Sequence, residues 1–112
     1  MRKVVIVGSP PVQVLDVTGA LEVFSSASGY DVILGNPGEE RTLLTHRNFA
    51  LTGALPIREI TGPIDTLVIA GGPGSETGSY DPAFVSWITA AAKRSRRVPP
   101  FAQEHFCWGQ LG

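Results

Sequence analysis

A chain of 112 residues, 43% of them hydrophobic, can bury one core of useful size and is too short for two full domains. Its formal net charge of -1 gives no overall field to draw it to nucleic acid or membrane, and a single cysteine, Cys107, excludes an internal disulfide framework and fits a reducing compartment. No stretch has the length and apolarity of a bilayer span, and the Val4 to Val7 run stops at Gly8-Ser9-Pro10-Pro11, too short for a signal peptide, so a cytoplasmic location is expected.

Lys3 to Val7 is a mostly β-branched apolar run closed by Gly8, the pattern of a strand covered on both faces in a parallel sheet. After the Gly8 to Pro11 turn, Val14, Val17, Leu21 and Phe24 recur at steps of three and four and predict the buried face of a helix, ended by Ser25, Ser26, Ser28 and Gly29. Asp16 falls near the helix start, where exposed N–H groups and the dipole favour a carboxylate, so capping is its simplest role. Gly19 should loosen the helix locally. Tyr30 to Leu34 reads as the next strand, with Gly35-Asn36-Pro37-Gly38 as its turn, and the resulting βαβ unit should cross over right-handed. Thr42 to Thr45 and Phe49 to Leu51 are short alternating pieces around Arg47-Asn48 and predict a small hairpin or edge ribbon, with His46 a solvated residue near its tip. Pro56 to Pro63 is a connection.

Leu67, Val68, Ile69 and Ala70 form a second apolar run without alternation, which breaks into Gly71-Gly72-Pro73-Gly74. Any buried strand must turn, and glycine suits the turn; the same two glycines also let backbone amides approach an anion or oxyanion closely. A nucleotide-binding turn is a poor match for Gly72, Gly74 and Gly78, because Pro73 removes a donor and no P-loop lysine follows. Asp81-Pro82 marks a helix start, with Phe84, Ile88 and Ala91 as the buried stripe and Val85, Trp87 and Ala92 flanking it. Lys93, Arg94, Arg96 and Arg97 gather at its end, where cations complement the dipole. Arg97-Val98 should open another strand, but Pro99-Pro100 cannot sit in a central one. Phe101 to Gly112 has neither period, so residues 1–98 are read as the α/β domain and 99–112 as an irregular tail. His105 and Cys107 would share a face if extended, yet nothing in the sequence orients the histidine or completes a metal-ligand set.

Two buried parallel strands ending in glycine turns place a site outside their carboxyl ends, which would bring Asp16 towards Gly71 and Gly72. At these residues the chain resembles the DJ-1/PfpI superfamily, of class I glutamine amidotransferase-like fold, and most closely the N-terminal DJ-1/PfpI-like domain of AraC-type transcriptional regulators. The resemblance is carried by Val12 to Phe24 and Ile64 to Gly74, supported by Asp81-Pro82 and Arg96-Arg97-Val98, and extends from Arg2 to Val98. Ala20 departs from it, standing where the family more often has proline. The fold implied is a flavodoxin- or Rossmann-like open sheet, mostly parallel, with helices on both faces and a small β-ribbon, here incomplete relative to the family domain.

In enzymes of the superfamily a cysteine sits on a strained elbow after the strand that Arg97-Val98 would begin. A carboxylate matching Asp16 contacts the thiol, and amides matching Gly71 and Gly72 face the developing negative charge. Cys107 lies nine residues beyond Val98, after two prolines, and is not expected to be that nucleophile. A frameshift just after Val98 would account for the departure, since Pro99 to Gly109 can be back-translated so that another frame reads Ala-Val-Cys-Ala-Gly-Ala-Leu-Leu-Leu-Gly. If nucleotide sequence across the junction encodes no such elbow in any frame, that explanation fails.

The resemblance therefore implies a non-catalytic, small-ligand-sensing fragment of an AraC-type regulator, with Asp16, Gly71 and Gly72 as its ligand or oxyanion residues. DNA would be bound only through a downstream domain absent from this sequence, and homodimerisation is expected of the complete domain. The alternatives are a fragment of a cysteine enzyme, isonitrile hydratase-like or glyoxalase/deglycase-like, without its elbow, and a truncated product of no function, which should aggregate or be marginally stable. No cofactor, metal or membrane partner is implied.

Overall fold

In the computed structural model, which describes residues 2–8, 11–45, 49–70 and 82–98, both apolar runs become central strands. The elements in chain order are β1 (Arg2–Gly8), α1 (Val14–Ser26), β2 (Tyr30–Asn36), β3 (Thr42–Leu44), β4 (Ala50–Thr52), β5 (Leu55–Pro56), a 3-10 turn (Ile57–Glu59), β6 (Ile64–Ala70), α2 (Pro82–Lys93) and β7 (Ser95–Arg97). The main sheet has the order β5-β2-β1-β6-β7, and each of its pairings is parallel. Strands β3 and β4 form the separate antiparallel ribbon that the alternating pieces predict.

The lack of alternation in β1 and β6 has its expected cause. Val4 to Val7 and Leu67 to Ala70 are buried throughout, because both strands lie inside the sheet and are covered on both faces. Chain direction explains the covering. From β1 the chain crosses to β2 on one side, and from β6 to β7 on the other, so two right-handed crossovers set α1 and α2 on opposite faces. Helix α2 buries Phe84, Ile88 and Ala91, the predicted stripe.

Helix α1 corrects its prediction at one position. Val17 is fully buried and Val14 and Phe24 are half-buried, but Leu21 is 38% exposed and Ala20 takes the inward place instead. Ala20 lies three residues from Val17 and four from Phe24, so the inward direction runs along those three and Leu21 is turned to the rim. A second refinement lies in the Pro56 to Pro63 connection. Leu55 and Pro56 extend the sheet beside Gly35 and Asn36, and Ile57 and Ile60 are then buried.

The cations after α2 do more than face a dipole. Arg94 donates from Nε to the Gly62 carbonyl at 2.7 Å and from Nη2 to that of Ile60 at 3.1 Å, with its guanidinium 5.5 Å from the Trp87 ring centre. Arg96 reaches Asp65 at 3.5 Å. Among the described residues no helix is long and apolar enough to cross a membrane.

Candidate functional site

The register of the central strands sets the site. Gly8 and Ala70, the last residues of β1 and β6, are direct neighbours, so both strands end at one level of the sheet's carboxyl edge. Val12 lies close against the end of β1: a Cβ on Gly8 would lie 2.6 Å from Val12 Cγ1 and 3.1 Å from the Ala70 carbonyl oxygen. Only glycine fits so close an approach. Val12 is stapled to the ribbon, pairing with Thr45 and donating its N–H to Leu44 O at 2.9 Å. These contacts fix where α1 begins, two residues later.

Asp16 sits in the first turn of α1 and is half-buried. The N-cap is Gln13, whose side chain makes no capping bond; its carbonyl accepts the Asp16 N–H at 3.1 Å and the Val17 N–H at 3.4 Å. Asp16 thus holds the third helical position, where a carboxylate interacts favourably with the helix dipole, in keeping with the electrostatic part of its capping role. Helix α1 packs on β1, β2 and β6, which brings its first turn to the strands' carboxyl edge. Gly71 and Gly72 follow Ala70 directly in sequence and lie outside the described residues, as do His46, His105 and Cys107. The structure therefore locates Asp16 and the strand end from which the glycines depart.

A feature not foreseen from the sequence lies beside Asp16. An open groove of about 290 Å³ runs along α1, lined by Leu15, Asp16, Gly19, Ala20, Val23 and Phe24. Leu15 and Val23 are 71% and 66% exposed. Leu15, Gly19 and Val23 follow the same spacing of four that marks a buried stripe, and this signal was available once the helix was read as apolar on more than one face. Among the described residues no three His, Cys, Asp or Glu side chains are grouped to hold a metal ion.

No protein-family model matches the chain, and no curated protein matches it. Solved structures do. A ThiJ/PfpI family protein from Pseudomonas syringae superposes with a TM-score of 0.77 at 14% identity, over 87% of this chain and 40% of that one. A DJ-1 superfamily protein from Agrobacterium tumefaciens gives 0.70 at 18% identity, over 88% and 52%. An AraC family transcriptional regulator from Pseudomonas putida gives 0.61 at 13% identity, over 83% and 51%. The chain thus spans about half the length of these structures. With its parallel sheet and opposed helices, the chain has the fold of these ThiJ/PfpI and DJ-1 superfamily proteins, shared in part by the AraC family regulator.

Proposed function

We propose that this chain is a small-ligand-sensing, non-catalytic portion of an AraC-type transcriptional regulator, in which a ligand binds at the carboxyl edge beside Asp16, Gly71 and Gly72. The observation that carries the reading is the level ending of β1 and β6 next to the first turn of α1, the place where open α/β sheets accept ligands. Amides of Gly71 and Gly72 would donate to a carbonyl or carboxylate oxygen of the ligand, and Asp16 would accept from its N–H or O–H. Similarity to an AraC family transcriptional regulator supports the regulatory role. In this reading DNA is contacted through a further domain and the complete domain acts as a homodimer.

The test is saturable binding by calorimetry and thermal shift, using a panel of small carboxylates, amides and aldehydes. At least one compound should stabilise the chain, by about 2.7 kcal/mol at a hundredfold excess over its Kd. Asp16→Asn should lose that response while keeping its helical signal. A panel without any response, or an Asp16→Asn variant that binds as well as the parent, overturns the reading. The competing reading is a cysteine enzyme fragment, favoured by the DJ-1 and ThiJ/PfpI likenesses. Turnover of a panel compound that vanishes in Cys107→Ala would establish it in place of the first.

A further inference from the structure

The cations of the chain are unevenly placed. Strands β2, β1, β6 and β7 run parallel, so all four begin at one edge of the sheet, the amino edge. Lys3 pairs with Asp31, and because Val4 pairs with Thr66 and Thr66 with Arg97, Lys3, Asp65 and Arg96 stand in one row. Lys93 and Arg94 arrive there at the end of α2, just before β7. Arg2, Lys3, Lys93, Arg94, Arg96 and Arg97, six of the nine Lys and Arg residues, thus share this edge with the carboxylates of Asp31 and Asp65. Glu22 stands one turn back from the end of α1. With Glu22 included, and with roughly half a negative charge at the C-terminus of each helix, the edge still carries about +2, in a chain whose net charge is -1.

Pairing sharpens the asymmetry. Beyond the carboxyl ends of β2 and β5, Arg41 bonds Glu59 at 2.9 Å and Arg58 bonds Glu39 at 2.7 Å. At the amino edge, Arg96 reaches Asp65 at 3.5 Å, while Lys3 and Arg94 direct their donors to the neutral carbonyls of Ile60, Thr61 and Gly62. Exposed Arg2, Lys93 and Arg97 have no carboxylate partner among the described residues. Such an excess of solvated cations draws a polyanion. Four of the six are arginines, whose planar fork matches phosphate. From Arg2 on β1 to Arg97 on β7 is two strand spacings, about 10 Å, against one phosphate per roughly 3.4 Å of axis along each strand of a duplex.

We propose that the amino edge of the sheet is a sequence-independent contact for the phosphate backbone of duplex DNA. The choice of DNA among polyanions rests on the regulatory reading above; the basic edge itself lies at the opposite end of the strands from the ligand site and does not depend on it. The contact adds to the one made through a further domain.

Fluorescence anisotropy of a labelled duplex of arbitrary sequence, about 20 base pairs long, titrated with the full chain at several salt concentrations tests it. Binding is expected at about 50 mM salt, with log K falling against log salt at a slope of about -3, the signature of roughly three phosphate contacts. Arg2→Gln and Arg97→Gln, both at exposed positions, should each weaken binding several-fold and reduce the slope by about one with an unchanged circular dichroism spectrum, whereas Arg58→Gln should bind as the parent does. No binding at low salt, or binding indifferent to Arg2→Gln and Arg97→Gln, overturns the surface. Polyglutamate that binds as tightly as the duplex and with the same slope overturns the assignment to DNA in favour of an acidic protein. Asp16→Asn should leave duplex binding intact, so a failure of the ligand panel with duplex binding retained counts against the ligand site alone.

Discussion

At Gly35 a Cβ would come within 2.7 Å of Val7 Cγ1 and 2.9 Å of Ile60 Cδ1. Ile60 could swing its terminal carbon aside, but Val7 is fully buried and branched at its Cβ, so its methyl cannot give way without displacing the close-packed core. Gly35→Ala is therefore expected to destabilise the chain by about 1–3 kcal/mol, read as a lower urea midpoint at unchanged slope. The neighbouring Asn36 is buried for a different reason. Its amide donates to Glu40 O at 3.0 Å and Thr42 O at 2.7 Å, while its side-chain oxygen accepts from Gly38 N at 3.2 Å. Asn36→Asp keeps the acceptor and loses both donors, leaving two carbonyls facing a carboxylate. The expected loss is about 1–3 kcal/mol, and the same denaturation experiment at neutral pH checks it; an unaltered midpoint would mean that water replaces the amide. Gly35-Asn36 looked like generic turn chemistry in the sequence. Their packing and bonding become legible only once Ile60 and Thr42 are in place, because both contacts join residues from separate elements.

Among the elements, α2 shows how a helix end is tied to the sheet. Arg94 follows its last residue, and the Arg94 backbone carbonyl accepts the N–H of Ile64, the first residue of β6, at 3.2 Å. Its side chain grips the Ile60 and Gly62 carbonyls of the preceding loop. One residue thus fixes both the exit of α2 and the entry of β6. Arg94→Ala should cost about 1–3 kcal/mol through the lost charge-assisted bonds, and Arg94→Lys should recover only part of it, since an ammonium lacks the planar fork and the stacking on Trp87. Comparing the thermal midpoints of the two variants measures this; full recovery by lysine would reduce Arg94 to a charge at a helix end. The elements that long patterns announce, β1, β6 and α2, appear where the sequence puts them, because a run buried on both faces or a stripe at helical spacing admits few other structures. Strand β5 was not legible, since two residues carry no period and their extended form comes from pairing with Gly35 and Asn36. Leu21 was misplaced because α1 is apolar around more of its circumference than one face can bury, and spacing alone does not choose among apolar stripes.

Across the whole molecule, the same logic decides how much of the site could be read. Two apolar strands ending in glycine led to the carboxyl edge, and Asp16 is in the first turn of the helix that meets it; the groove of α1 escaped notice because its residues look like ordinary core. The order of the sheet also dictates where the chain holds together longest. Strand β1 pairs with β2 on one side and β6 on the other, and β6 with β1 and β7, whereas β5 and β7 each have one paired side within the sheet. Opening β1 or β6 exposes fully buried side chains on both faces, while the β3–β4 ribbon is three pairs long and carries exposed Leu44 and Ala50. Backbone amides of Val5 to Val7 and Leu67 to Ile69 are therefore expected to exchange only by global unfolding, and those of β4, β5 and β7 by local opening with much lower protection. Hydrogen exchange at rising denaturant separates the two classes, since amides freed by global opening share one slope and one free energy. Ribbon amides protected as strongly as β1 would mean that the ribbon belongs to the same cooperative unit. In that case the staple between Val12 and Thr45 would tie the start of α1 to global stability, and not merely to the local order of the carboxyl edge.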